Sequence, residues 1–313
     1  MKFDVITFGE AMVLLAPEQS ALLETAGYFH ASVGGAELNC AIGLVRLGHQ
    51  ASWISRLGDD PFGHKILKTA RGEGVNVDRV KLVAEASTGI MFKEVRPASA
   101  SRVFYYRKQS PASALALDQF DDLQTRILFV TGITPALSHQ NRELSIAVVE
   151  QFRAAGALIV FDPNMRFRLW PREEARTVFL ELAKRSDVLL PSLVDAEILC
   201  GKGEREAMLD RLRQLGPNRV AIKLGEEGVY FCDEKHRVHL PCFPVPEIDP
   251  VGAGDAFCAG VISGLLDKIS FAESVRRGAA MGAFSVSSWG DYAGLPTRNE
   301  LDRFLAGEIT QGR

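Results

Sequence analysis

The sequence predicts an α/β protein in which a mostly parallel central sheet is flanked by helices and accompanied by a small β-sheet lid. Three observations carry this. Short runs of β-branched and other apolar residues recur along the chain; helix-like amphipathic stretches lie between many of them; and two segments, 11–32 and 88–107, are rich in strand formers without a helical pattern. Strands alternating with helices point to parallel pairing, because a parallel connection needs a crossover long enough to hold a helix.

Taken in order, residues 3–8 open the chain as an apolar strand. Asp4 and Glu10 keep that run too short and too polar for a signal peptide or a membrane span. Residues 11–32 read as extended chain. A helix over 38–47 follows the Gly34-Gly35 pair, then a strand over 51–54 and a helix over 61–71. Residues 89–95 and 101–107 read as two strands joined across 96–100, where Pro97 and Ser99 suit a hairpin connection. The alternation then resumes, with strands over 127–130, 158–161, 188–190 and 220–224 and helices over 142–154, 172–184 and 207–215. The C-terminal stretches 253–266, 271–289 and 297–305 read as mostly helical. Several strand runs are apolar at consecutive positions, as in strands buried on both faces. One domain spans 1–313, with the lid built discontinuously from about 11–32 and 88–107.

With 313 residues, 47% of them hydrophobic and 24% charged, the chain can bury a sizeable core, and a formal net charge of −3 offers nucleic acid no basic field. A cytoplasmic protein is expected, with neither nucleic acid nor membrane as partner. The five cysteines, Cys40, Cys200, Cys232, Cys242 and Cys258, never form a Cys-x-x-Cys pair, which points to reduced thiols. His236 and His239 lie on a strand-like stretch that turns them to opposite faces, which argues against a metal pair.

Two motifs carry chemistry. In Ile248-Asp249-Pro250-Val251-Gly252-Ala253-Gly254-Asp255-Ala256-Phe257, a glycine-rich turn leads into a helix with an acid in its first turn. Glycines let the backbone turn tightly, so that amides at the helix terminus face an anion, and Asp255 then sits where a hydroxyl gives up its proton. Taken alone, Asp255 equally suits a plain helix cap. Gly34-Gly35-Ala36-Glu37-Leu38-Asn39 likewise sets two glycines before a helix, with Asn39 about one turn inside; a ligand approached by bare backbone and an ordinary loop-to-helix turn both fit. The first string lacks the Gly-Lys-Ser/Thr ending of a P-loop, and no dinucleotide-binding Gly-x-Gly-x-x-Gly follows the first strand, which disfavours an oxidoreductase.

Together, these two strings resemble the two signatures of the ribokinase (PfkB) family of carbohydrate kinases. The likeness extends over nearly the whole chain through Arg56-Leu57-Gly58-Asp59-Asp60-Pro61-Phe62-Gly63, the lid-like insertion, Asp162-Pro163-Asn164 and Lys223-Leu224-Gly225-Glu226-Glu227-Gly228. The resemblance implies a ribokinase-like fold and ATP-dependent phosphorylation of a sugar hydroxyl. It makes Asp255 the general base and Gly252, Ala253 and Gly254 the anion hole. It also implies sugar contacts at Gly34, Gly35 and Asn39 and nucleotide contacts at Ser192, Lys223, Gly225, Gly228 and the 252–254 turn. Mg²⁺ is the implied cofactor, met by Asp195 through water, and a monovalent cation such as K⁺ is implied at a loop of Asp249, Val251 and residues 285–290.

Within the family the chain is most similar to the 2-keto-3-deoxygluconate kinases, through Tyr105-Tyr106-Arg107, Asp162-Pro163-Asn164-Met165-Arg166 and Gly290-Asp291-Tyr292-Ala293-Gly294-Leu295-Pro296. A sugar acid carries a carboxylate that fructose lacks, and arginine meets it with a planar fork of donors. Tyr105 and Arg107 from the lid, with Arg166 from the main domain, are the expected partners of that carboxylate. A solvated Arg107, and an Arg166 paired with an acid or lying over apolar surface, are the structural alternatives. Fructokinases of the same family share part of these motifs, so fructose is the competing substrate, and a catalytically silent sugar- or nucleotide-binding protein is the competing non-enzyme.

Three departures bear on selectivity. Met91 stands where similar kinases carry a tyrosine, Ser192-Leu193-Val194-Asp195 replaces an Asn-x-x-Glu element, and Ala279 replaces an asparagine near the adenine. Ser192 and Asp195 equally suit a helix-capping pair. The lid's exposed sheet suggests a homo-oligomer, a dimer or higher, joined through it.

Overall fold

A computed structural model describes residues 2–18, 22–96 and 99–308. In its first half, strands β1 (Lys2–Phe8), β2 (Met12–Pro17) and β3 (Phe29–Gly34) precede helix α1 (Ala36–Arg46). Then come β4 (Ala51–Ile54), β5 (Arg56–Gly58), α2 (Pro61–Gly72), β6 (Lys81–Val83), β7 (Ile90–Arg96) and β8 (Ser99–Tyr106). The middle holds β9 (Gln124–Thr131), α3 (Ile133–Ala136), α4 (His139–Ala154), β10 (Leu158–Asp162), α5 (Arg172–Lys184) and β11 (Val188–Leu189). There follow α6 (Leu193–Cys200), α7 (Arg205–Arg213), β12 (Arg219–Lys223), β13 (Val229–Cys232), β14 (Arg237–Leu240), α8 (Ala253–Leu266), α9 (Phe271–Val286) and α10 (Arg298–Leu305).

Eight strands form the main sheet in the order β14-β13-β12-β11-β10-β9-β1-β4. The six from β12 to β4 are parallel, and β13 and β14 add antiparallel at one edge. The apolar runs explain the arrangement. Along β1, Val5 faces a core shared with α1, α8 and α9, while Ile6 and Phe8 face a second core shared with α4 and α5. A strand covered on both faces has no polar alternation to show, and each such side chain contributes about 1.5–3 kcal/mol on burial.

The two segments singled out for their strand content pair as a second sheet, in the order β3-β2-β7-β8. β7 and β8 run antiparallel, as a hairpin requires, although Pro97 and Ala98 of the expected turn lie outside the described residues. Side chains alternate across this sheet. Met12, Leu14 and Met91 pack with Val103 and Tyr105 on one face, while Phe29, Phe92 and Tyr106 stack edge to face on the other.

α9 stops at Val286, short of the 271–289 stretch that reads as helical. The Val286 carbonyl accepts hydrogen bonds from Ile248 N (2.7 Å) and Asp249 N (3.1 Å), and Gly290 takes a φ of 91°, so the chain turns back beside the glycine-rich string. Among the described residues no helix is long and apolar enough to cross a membrane.

Candidate active site

The start of α8 is fixed by Gly252. Its φ of 83° lies in the left-handed region, and a Cβ there would stand 2.1 Å from the Asp291 carbonyl oxygen, so only glycine fits. Three residues on, Asp255 is buried in the first turn, where free amides and the helix dipole favour negative charge. α1 starts equally close to its neighbours: a Cβ on Gly35 would lie 2.5 Å from the Glu10 carbonyl oxygen, and one on Gly34 would lie 2.4 Å from an Asp291 carboxylate oxygen. These contacts bring Asn39 against α8. Its Nδ2 donates to Asp255 Oδ2 at 2.8 Å and to Asp291 Oδ2 at 3.4 Å.

Burial raises Asp255 above the usual carboxylate range, opposed by the Asn39 hydrogen bond and the charges of Arg166 and Lys223. Asp291 is pushed up to about 7, by burial first and by the Asp255 charge second. Two carboxylates sharing one amide resist ionising together. The pair therefore resists double ionisation, and Asp291 keeps its proton until near neutrality.

At the sheet's C-terminal edge, Lys223 Nζ meets Asp162 Oδ2 at 2.6 Å, and Cys258 Sγ donates to the same oxygen at 3.3 Å. Burial raises Asp162 against the pull of Lys223; burial is the largest influence on Lys223 and would lower it, but the charge and hydrogen bond of Asp162, joined by the charges of Cys258 and Asp195, together outweigh it and the amine is held above its ordinary value. Asp195 accepts from Ser192 N (2.9 Å), Ser192 Oγ (2.6 Å) and Met165 N (2.9 Å), completing a capping box with Ser192 at the head of α6. The helix-capping alternative for this pair thus describes its geometry. Among the described residues no three His, Cys, Asp or Glu side chains converge as a metal cage.

From the small sheet, Met91, Tyr105 and Arg107 face the cleft. Arg107 is not solvated: it forms a buried ion pair with Glu10, which also accepts from Ser110 Oγ, and its guanidinium lies 5.5 Å from the Tyr105 ring centre. Burial raises Glu10, with the Arg107 charge opposing. Arg166 stands exposed on the wall beyond β10.

A cavity of about 510 Å³ gathers most of the sequence-selected residues around Asp255. Gly35, Asn39, Tyr105, Arg107 and Arg166 line it, as do Ser192, Asp195, Lys223, Gly225, Gly252 and Gly254. Gly34 abuts it through Asp291. Gly228 and Ala253 do not line it. They belong to a second cavity of about 470 Å³, which shares Lys223, Gly225, Pro250 and Gly254 with the first and is walled by Phe243, Val245, Ala279 and Val286. Gly228 must be glycine, since at a φ of 92° its Cβ would stand 2.1 Å from the Leu240 carbonyl oxygen.

Three cavity-lining charges escaped the motif reading. Lys93 carries no local signal, and Asp291 lies within the Gly290–Pro296 string without one of its own. A polar residue at the end of the first strand is the only trace Glu10 leaves in sequence.

Residues 2–298 match the model of the pfkB family carbohydrate kinases. The chain belongs to that family. The kinase is 40% identical to the 2-dehydro-3-deoxygluconokinase of Bacillus subtilis (strain 168) in an alignment covering 99% of this chain and 98% of that protein. With fructokinase-1 of Zea mays it shares 30% identity over 95% of this chain and 96% of the other. Among solved structures, the 2-dehydro-3-deoxygluconokinase of Thermotoga maritima superposes with a TM-score of 0.87 at 26% identity, covering 98% of each chain. 2-Dehydro-3-deoxygluconate and 2-keto-3-deoxygluconate are one compound.

Proposed function

We propose that this carbohydrate kinase transfers the γ-phosphoryl group of ATP to the terminal hydroxyl of 2-keto-3-deoxygluconate, giving 2-keto-3-deoxy-6-phosphogluconate and ADP. The observation that carries the proposal is the position of Asp255, at the head of α8 where two cavities meet. The sugar acid occupies the first, its carboxylate end toward Tyr105, Arg107 and Arg166 and its terminal hydroxyl toward Asp255. The nucleotide occupies the second, its base between the apolar walls near Ala279 and its phosphates toward Lys223, Ser192, Gly225 and the 252–254 turn.

Asp255, kept ionised by Asn39 and nearby cations, takes the hydroxyl proton as the oxygen attacks the γ-phosphorus and ADP departs. The amides of the 252–254 turn then meet the charge spread over the transferred group. Asn39, Gly34 and Gly35 hold the acceptor end in line with Asp255. The donor set suits Mg²⁺ carried on the nucleotide's phosphates rather than a prebuilt cage, since Mg²⁺ keeps several waters and needs one or two carboxylates at most. When bound it would neutralise phosphate charge, with Asp195 reached through water.

The greater identity to a 2-dehydro-3-deoxygluconokinase than to a fructokinase supports the sugar acid. Phosphorylation of 2-keto-3-deoxygluconate beside fructose, at equal concentrations, tests it; faster turnover of fructose overturns it. Asp255→Asn is expected to keep ligand binding while lowering turnover by about 10²–10⁴, and unchanged turnover would remove the general-base role. The outer aromatic face of the small sheet, where Tyr106 is 68% exposed, supports a dimer or higher oligomer joined there; light scattering that finds a monomer overturns that part.

A further inference from the structure

Lys93 and Asp249 form an ion pair that the phosphoryl transfer described above does not use. Lys93 lies two residues after Met91 on β7 and shares its cleft-facing side, while Phe92 and Glu94 take the outer face. Its Nζ stands 2.6 Å from each carboxylate oxygen of Asp249, and the two residues are only 3% and 4% exposed. The remaining contacts of Asp249 come from the loop itself: Val251 N donates to Oδ1 at 3.1 Å and Gly290 N approaches Oδ2 at 3.4 Å. Ser285 Oγ donates to the Val251 carbonyl at 3.4 Å. This one carboxylate thus ties together the small sheet, the irregular approach to Gly252 and the loop after α9.

These are the residues at which a monovalent cation is implied, and they do not fit one. A cation there needs the Asp249 oxygens as ligands, but both are held by an ammonium, and a second positive charge at that distance would be repelled between two side chains this buried. We infer that Lys93 supplies from within the chain the positive charge that a monovalent cation would otherwise bring to Asp249, so that the kinase works without such a cation and closure of the small sheet organises the 250–254 turn. Lys93 is a positioning residue in this arrangement: it acts through Asp249 on the loop that starts α8, not on the reacting atoms.

The inference rests on the kinase activity of the family and not on the choice of sugar. Turnover is measured in potassium, sodium, lithium and tetramethylammonium chloride at one ionic strength, with Mg²⁺ and nucleotide constant. The same rate in all four is expected; selective activation by potassium overturns the inference. The melting temperature of the protein without substrate is followed over the same salts, because a cation that binds the native state raises it with concentration. No potassium-specific rise is expected in the wild type, and a saturable rise overturns the inference even where no acceptor sugar is turned over.

Lys93→Met is expected to lower kcat by roughly ten- to a hundredfold, the scale of a misplaced catalytic loop, and to recover part of that loss in potassium or ammonium. Lys93→Arg keeps a positive charge and is expected to stay indifferent to the salt. A Lys93→Met protein that folds, as judged by circular dichroism, yet loses no activity overturns the positioning role. If Lys93→Met does not fold, Asp249→Asn with Lys93 intact gives the second reading, with a loss of kcat expected at little change in sugar KM. Failure of the sugar-acid proposal would instead appear as poor turnover of that substrate in every salt.

Discussion

The side-chain amide of Asn39 holds the carboxylate of Asp255 at 2.8 Å, across 216 residues of sequence. One hydrogen bond therefore couples the start of α1, where bare glycine backbone borders the cleft, to the start of α8, where the glycine-rich turn ends. It also opposes the effect of burial on protonation. The donor favours the charged form of Asp255, and that charge helps push Asp291 upward.

Asn39→Ala should move the acid limb of the pH profile of kcat/KM to higher pH. A hydrogen bond to a charged group contributes roughly 1.5–3 kcal/mol, or about one to two pH units. Losing it raises Asp255, which is then protonated at pH values where the wild type is active. Rate profiles on both proteins check this; superimposable acid limbs would mean that Asn39 merely fills space.

Glu37 makes a stability prediction of opposite sign to the usual carboxylate. Buried on α1, it accepts from Thr131 Oγ1 (2.6 Å) and Thr134 Oγ1 (2.9 Å), and burial first, then a little of the Asp255 charge, pushes it up to about 7 from 4.5. A folded pKa above the unfolded one gives stability that is complete below pH 4.5 and lost as pH rises to about 7. Glu37→Gln should remove that loss, so its stability relative to wild type should improve by on the order of 3 kcal/mol across the window. Urea denaturation at pH 4.5, 6 and 8 measures the gap, and a gap that does not change with pH would contradict the assignment.

The main sheet and its helices were legible because each element declares itself within a dozen residues, by run length or by period. The glycine-rich turn before α8 was legible for a similar reason: glycines and an acid at fixed spacing meet a local demand of backbone and charge. Glu10, Lys93 and Asp291 were not, because their partners lie far along the chain. Ser110 is 100 residues from Glu10, and Asp249 is 156 from Lys93. Asp195 shows the converse, since three residues suffice for its capping contacts and the local alternative describes where its oxygens go.

Gly252 and Gly254 should respond differently to alanine. At Gly252 the added Cβ meets the Asp291 carbonyl oxygen at 2.1 Å with φ at 83°, so backbone must shift at the head of α8; strain of this kind costs roughly 1–3 kcal/mol before the clash is counted. At Gly254 the nearest atom is the flexible end of Lys223, 3.6 Å away. Gly252→Ala is therefore expected to lower both melting temperature and activity, and Gly254→Ala to keep the melting temperature while crowding the anion space and lowering kcat. Equal melting temperatures for the two variants would show that the turn tolerates a side chain at both positions.

Arg107 pairs with Glu10, and one substitution cannot separate that pairing from the contact proposed for it with the substrate's carboxylate. Arg107→Ala would strip Glu10 of its counter-charge, and breaking a buried pair costs roughly 3–5 kcal/mol because the abandoned charge stays buried. A rise in KM for the sugar acid would then reflect either a lost carboxylate contact or a loosened lid. Adding Glu10→Gln to Arg107→Ala removes the stranded charge, since a neutral amide still accepts from Ser110. The double variant should recover most of the lost melting temperature while keeping the raised KM for 2-keto-3-deoxygluconate, with fructose affected much less. If KM recovers together with stability, Arg107 serves only to neutralise Glu10, and the substrate's carboxylate is met elsewhere in the cleft, where Arg166 is the other arginine on the wall.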